Sequence, residues 1–151
     1  VHIARRIAAN LEEFEGIEVP VATLDVSLYR DDHRVRDQSQ TRIQPTEIPM
    51  GIQGKRVVLV DDVLYTGRTI RAAMDALMDF GRPRAVQVVA LVDRGHRELP
   101  IRIDYVGKNI PTRPEESVVF RGAEEGFEGA LEVLVLNSGT QRETPKAGAA
   151  S

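Results

Sequence analysis

Three features of this 151-residue chain predict an α/β fold with a central parallel sheet flanked by helices. The first is an apolar run, Val57-Val58-Leu59-Val60, that ends in two adjacent carboxylates, Asp61 and Asp62. The second is a hydroxyl- and glycine-bearing loop after them, followed by a helical pattern over residues 70–80. The third is another apolar run over residues 85–92. Strand, helix and strand in that order make a βαβ unit, and its crossover forces the two strands to be parallel. In such sheets ligands bind beyond the carboxyl ends of the strands, where Asp61 and Asp62 are placed.

The remaining elements follow along the chain. Residues 1–11 carry apolar positions at 3, 7, 8 and 11, which is helical spacing. No cap residue precedes them, so the chain reads as starting inside a helix, with an N-terminal part expected upstream. Residues 21–29 alternate and are rich in β-branched side chains, which predicts a strand. Residues 30–54 are polar and contain Pro45, Pro49, Gly51 and Gly54. A connection of that length in a compact domain predicts a lid or binding loop. Residues 55–60 are the central strand. The helix over 67–80 places Ile70, Ala73, Met74, Leu77 and Met78 on one stripe and is stopped by Gly81 and Pro83. Shorter strands are expected over 103–106, 117–120 and 132–136. Residues 137–151 hold no aromatic side chain and are rich in Gly, Thr, Ala and Ser, which predicts a disordered tail after a domain spanning 1–136.

Composition narrows the function classes. Hydrophobic residues make up 42% and charged residues 28%, as in globular proteins. No apolar run is long enough to span a bilayer and no secretory signal pattern is present, so the expected address is the cytoplasm. The absence of cysteine excludes thiol catalysis and thiolate metal sites. The histidines His2, His33 and His96 are too scattered to suggest zinc. A net charge of −3 excludes a chain that is basic throughout but leaves room for a local basic face.

The chemistry concentrates in Asp61-Asp62-Val63-Leu64-Tyr65-Thr66-Gly67-Arg68-Thr69. A helix N-terminus presents unpaired amides and the positive end of its dipole, which makes it an anion site. Gly67 lets the backbone close on a phosphate, and Thr66 and Thr69 add hydroxyl donors. Acids for ribose hydroxyls beside a cradle for a 5′-phosphate describe a site for a phosphorylated sugar. An ordinary strand–turn–helix with a threonine cap is the bland alternative, but it has no need of two adjacent acids. A nucleotide P-loop fits worse, since no Gly-Lys-Ser/Thr closes the run.

This run resembles the phosphoribosyl pyrophosphate (PRPP) signature of type I phosphoribosyltransferases. The resemblance implies that fold, a Mg²⁺ ion accompanying PRPP, and catalytic roles for Asp61 and Asp62. PRPP or nucleotide would then be bound at Val63, Leu64, Tyr65, Thr66, Gly67, Arg68 and Thr69. Mg²⁺ takes few protein ligands, so no metal cluster is expected in the sequence.

A second constellation follows the next apolar run: Val92-Asp93-Arg94-Gly95-His96-Arg97-Glu98-Leu99-Pro100, then Tyr105-Val106-Gly107-Lys108-Asn109-Ile110-Pro111-Thr112. Residues 82–113 hold seven Lys or Arg against three Asp or Glu, although the chain as a whole is acidic. Most charge runs are solvated faces, and a lone histidine is more often a surface residue than a catalyst. Taken with Leu28-Tyr29-Arg30-Asp31-Asp32 and the 61–69 motif, however, these strings resemble the bacterial family of bifunctional pyrimidine operon attenuation regulators and uracil phosphoribosyltransferases. The likeness covers roughly residues 1–120.

The narrower resemblance implies the reaction of uracil with PRPP to give UMP and pyrophosphate. It places Arg94 near the substrate and the backbone at Val118 beside the base. It puts a Thr-Arg-Gly-like pyrophosphate loop upstream of residue 1, so this piece is expected to be a poor enzyme by itself. The 30–54 loop would close over the site, with Arg34, Arg36 or Arg42 approaching pyrophosphate. The family's second activity implies a leader mRNA hairpin held by His96, Arg97, Arg102 and Lys108, with UMP or UTP as co-repressor. It also implies a homodimer or higher homo-oligomer. Two alternatives stay open: an RNA-binding nucleotide sensor with negligible catalysis, and a purine salvage phosphoribosyltransferase. The second shares the 61–69 motif but leaves residues 92–100 unexplained.

Overall fold

In the computed structural model of the chain, the described residues are 2–26, 46, 48, 50–121 and 132–137. Contacts divide the chain into two compact units, Val1–Pro111 and Thr112–Ser151, where the sequence reads one domain through residue 136.

The first unit opens with α1 (His2–Glu15). Its end is closed by the Gly16 N–H donating to the Glu12 carbonyl at 3.0 Å and the Ile17 N–H donating to the Leu11 carbonyl at 3.3 Å. Such C-terminal bonds satisfy carbonyls the helix leaves over. The strand expected over 21–29 does not form within the described residues 21–26, where Thr23 makes a single isolated bridge. Alternation alone does not hold a strand there without a continuous partner, because ladder pairing decides. Residues 27–29 lie outside the described residues, as do most of the expected lid, with Arg34, Arg36 and Arg42, and the tail from 138 onward.

The central sheet is parallel, in the order β1 (Arg56–Leu64), β2 (Ala85–Asp93), β3 (Tyr105–Asn109). Between β1 and β2 runs α2 (Arg68–Leu77), tightened at its end into a 3₁₀ turn over Met78–Phe80. The βαβ unit and its parallel pairing agree with the expectation from sequence.

Three boundaries differ from it, each for a local reason. β1 does not stop at Val60. It continues through both acids to Leu64, because β2 is long enough to pair Asp61 with Ala90, Val63 with Val92 and Leu64 with Asp93. β3 begins at Tyr105 and not at Ile103. Asp104 closes the ladder ahead of it: its N–H donates to the Val88 carbonyl at 2.9 Å, and its Oδ2 accepts the Val88 N–H at 2.7 Å. β3 then runs on through Gly107 to Asn109, residues that read as a loop. Met78, placed on the buried stripe of α2, is 53% exposed. The change to 3₁₀ winding at that residue turns it off the α-helical face. Ala72 and Ala76 are buried in addition to Ile70, Ala73 and Leu77.

The core lies between α2 and one face of the sheet. Leu64, Ile70, Val88 and Ala90 are buried together, with Leu59, Met74, Ile101 and Ile103 packed against them. This fixes the N-terminus of α2 against the carboxyl ends of β1 and β2. The second unit contains β4 (Glu116–Arg121) and β5 (Glu132–Asn137), an antiparallel pair in which Val118 stands opposite Val135. Among the described residues no helix is long and apolar enough to cross a membrane.

Candidate active site

β1 delivers the two acids to the edge where α2 begins. Successive strand residues point to opposite faces, so Asp61 and Asp62 cannot share a side. Asp61, with Thr69 and Thr23, borders a cavity of about 390 Å³ whose other walls are apolar residues of α1, the 19–26 segment, β1 and α2. Asp62 is exposed, and its Oδ1 accepts the Val63 N–H at 2.7 Å. Oδ1 of Asp61 accepts the Asp62 N–H at 3.0 Å.

The turn between β1 and α2 has the features of an anion site, a glycine turn leading into a helix N-terminus. Gly67 caps the helix at φ +91°, with no side chain bonded across the cap. A Cβ at this position would lie 2.9 Å from Cγ1 of Ile101, so both conformation and space require glycine. The Thr66 hydroxyl is 3.3 Å from the Arg68 N–H and accepts from it, which stabilises the turn locally. The first amides of α2 have no intrahelical acceptor and lie at the positive end of the helix dipole.

The outer side of this turn is lined by the loop after β2. The Arg94 N–H donates to the Leu64 carbonyl at 3.1 Å, and the Glu98 and Leu99 N–H groups both donate to the Thr66 carbonyl, at 3.0 and 3.1 Å. The Tyr65 carbonyl accepts from Nη1 of Arg97 at 2.7 Å. The side chains reinforce the same seam. The Arg94 guanidinium is buried and stacks 3.9 Å from the centre of the Tyr65 ring. The His96 ring meets that same tyrosine edge-on at 5.8 Å. Arg68, expected at the phosphate, directs Nε and Nη2 to Oε2 of Glu98 at 2.8 and 2.7 Å.

The basic residues of the second constellation fall into two groups. His96, Arg102 and Lys108 are exposed. Arg97 is partly buried and held at three points: Tyr65 O, Ile101 O at 3.2 Å, and Oδ2 of Asp93 at 2.8 Å. Asp93 in turn receives the Gly95 N–H on Oδ1 at 3.0 Å. The structure thus brings Asp61, Asp62, residues 63–69 and Arg94 to one edge. Val118 lies in β4 of the second unit. Asp93, Glu98 and Ile101 are site-building residues that pattern reading passed over. Asp93 was findable, because it ends β2 as Asp61 and Asp62 end the apolar run of β1.

Comparison with known proteins identifies the family. The phosphoribosyl transferase domain model matches residues 1–124. The chain is 54% identical over 135 residues to the bifunctional protein pyrR of Enterococcus faecalis strain ATCC 47077 / OG1RF, covering 89% of this chain and 74% of that one. The chain belongs to the PyrR family of phosphoribosyltransferase-domain proteins. The PyrR protein of Halalkalibacterium halodurans is 53% identical over 136 residues, with the same coverage of 89% and 74%. That of Chloroflexus aurantiacus is 54% identical over 136 residues, covering 90% of this chain and 73% of its own. Among solved structures, a hypoxanthine-guanine phosphoribosyltransferase from Bacillus anthracis is similar over 46% of this chain and 40% of its own, at 27% identity and a TM-score of 0.41. Both the 61–69 turn and the 92–112 stretch lie within the residues that the domain model matches.

Proposed function

We propose that this chain is a uracil phosphoribosyltransferase, converting uracil and PRPP to UMP and pyrophosphate, and that it also binds a pyrimidine-operon leader hairpin when a uridine nucleotide is present. The observation that carries the reading is the seam between residues 64–68 and 93–101. It joins an anion-binding turn of the phosphoribosyl type to a loop that presents His96 to solvent and leads directly into exposed Arg102. A purine salvage enzyme has use for the first and no evident use for the second. Both roles belong to the cytoplasm, where nucleotides and nascent messenger meet.

In the transferase role, positive charge builds on the ribose as the bond to pyrophosphate breaks, and the leaving group gains negative charge. Asp61 and Asp62, which leave β1 on opposite faces, approach the ribose hydroxyls from either side of the strand end and oppose the ribose charge. Amides of Thr66, Gly67, Arg68 and Thr69 hold the 5′-phosphate in fixed geometry, so no reorganisation is needed at the moment of reaction. Among the described residues no group of three or more His, Cys, Asp or Glu could hold a metal ion. A pair of edge acids fits a Mg²⁺ ion that would arrive bound to PRPP and keep most of its waters. When bound, that ion supplies charge neutralisation at the leaving group. Arg94, buried against Tyr65, fixes the wall of the site. In the RNA role, exposed His96, Arg102 and Lys108 supply phosphate and loop contacts.

The test is a base panel. The full-length protein is incubated with PRPP, Mg²⁺ and, separately, uracil, hypoxanthine and guanine, and nucleotide products are separated. UMP and pyrophosphate form from uracil alone. Turnover of a purine base at a higher kcat/KM would replace this reading with purine salvage.

A further inference from the structure

Arg97 sits where the two constellations meet, yet its side chain faces inward. We infer that Arg97 is a positioning residue: it couples the phosphate turn to the cationic loop and does not itself bind RNA phosphate. The inference deepens the nucleotide-responsive RNA reading above and rests on it.

Planarity of the peptide carries the argument. In a trans peptide the carbonyl oxygen of one residue and the N–H of the next point in opposite directions. Holding the Tyr65 oxygen 2.7 Å from Nη1 of Arg97 therefore aims the Thr66 N–H away from the loop, toward the phosphate side. The Glu98 and Leu99 amides do the same for the Gly67 N–H by holding the Thr66 oxygen. Arg97 adds to this jig what the backbone cannot. Its planar fork spans the Tyr65 carbonyl, the Ile101 carbonyl and the Asp93 carboxylate at once. A change in the aim of the 65–66 peptide on binding a phosphate is thereby transmitted to both ends of the loop that carries His96. A cation meant for RNA would resemble Arg102 and Lys108, which are exposed. The Arg97 side chain is 23% exposed and its ion-pair partner 22%.

Retention of a labelled leader hairpin is measured over a salt series, with and without UMP, for the unmodified chain and for Arg97→Lys, Arg97→Gln, Asp93→Asn and Arg102→Gln. Couplings between sites commonly amount to about 5- to 150-fold in affinity. Arg97→Lys and Arg97→Gln both reduce the gain produced by UMP to below about twofold on that scale. Neither changes the slope of log affinity against log salt without UMP. Asp93→Asn reproduces the loss by releasing the same guanidinium, although it removes a negative charge that would otherwise oppose RNA. Arg102→Gln does the reverse, lowering the slope by about 0.7 to 0.9 and keeping the UMP gain. The inference is overturned if Arg97→Lys behaves as the unmodified chain while Arg97→Gln loses that much slope, because charge alone would then matter. It is also overturned if Asp93→Asn leaves the UMP gain intact. An unmodified chain that binds the hairpin equally with and without UMP would instead overturn the nucleotide-responsive reading beneath it.

Discussion

Gly67 answers two demands at once, a left-handed backbone at φ +91° and a contact distance that leaves no room for a methyl group beside Ile101. Gly67→Ala is expected to cost about 1–3 kcal/mol of stability, the usual range for a residue forced into a sparsely populated conformation. It should also lower UMP formation, because the amides on either side lose their aim. Thermal melting and turnover on one preparation check both effects. Asp62→Asn should separate them. The carboxylate is exposed, so melting is expected to stay unchanged while UMP formation falls by about a hundredfold, the size of effect seen when one charge-stabilising group is lost. Equal turnover in Asp62→Asn and the unmodified chain would remove this acid from the site. At this scale the sequence pointed to a site for a phosphorylated sugar, since Asp-Asp and Thr-Gly-x-Thr resemble a PRPP signature. It did not show that Arg68 turns to Glu98, that Arg97 turns inward, or that Ile101 closes on Gly67. Those depend on which loop folds back on which, and nothing in local spacing encodes it.

The elements were legible where their own side chains decide them. Residues 56–60, 68–77 and 85–92 carry period and propensity that agree with the fold, and the structure places strand, helix and strand there. Boundaries set by a partner were not legible. β1 runs on through Asp61 and Asp62 because β2 continues opposite them, and Asp104 delays β3 by filling the ladder with its own side chain. Gly107 is a further case. Read as a loop residue, it is the point where β3 approaches β2 so closely that an added Cβ would lie 2.6 Å from the Leu91 carbonyl oxygen. Backbone on both sides leaves little room to yield, so Gly107→Ala is expected to destabilise the sheet by about 1–3 kcal/mol, as overpacked substitutions do. Denaturant unfolding checks the cost. Hydrogen exchange of the β3 amides, which should rise ahead of those of β1, locates it. Uniform exchange across the three strands would contradict the assignment of that strain to the β2–β3 pair.

For the whole molecule, the account is that one anion-binding turn serves two activities. Under the proposed function, the 64–68 turn takes the 5′-phosphate of PRPP in one and of UMP in the other, and the 93–101 loop behind it would report occupancy to RNA. Net charge carried no hint of this, since a chain at −3 overall still holds a local excess of Lys and Arg over Asp and Glu within residues 82–113. Equilibrium dialysis of labelled UMP against the chain tests the claim most directly, with PRPP and the leader hairpin as competing additions. PRPP is expected to raise the apparent Kd of UMP in proportion to its concentration, because both phosphates seek the same amides. The hairpin is expected to lower that Kd by the factor by which UMP tightens the hairpin, as reciprocity of linked binding requires. UMP binding indifferent to PRPP, or weakened by the hairpin, would contradict it.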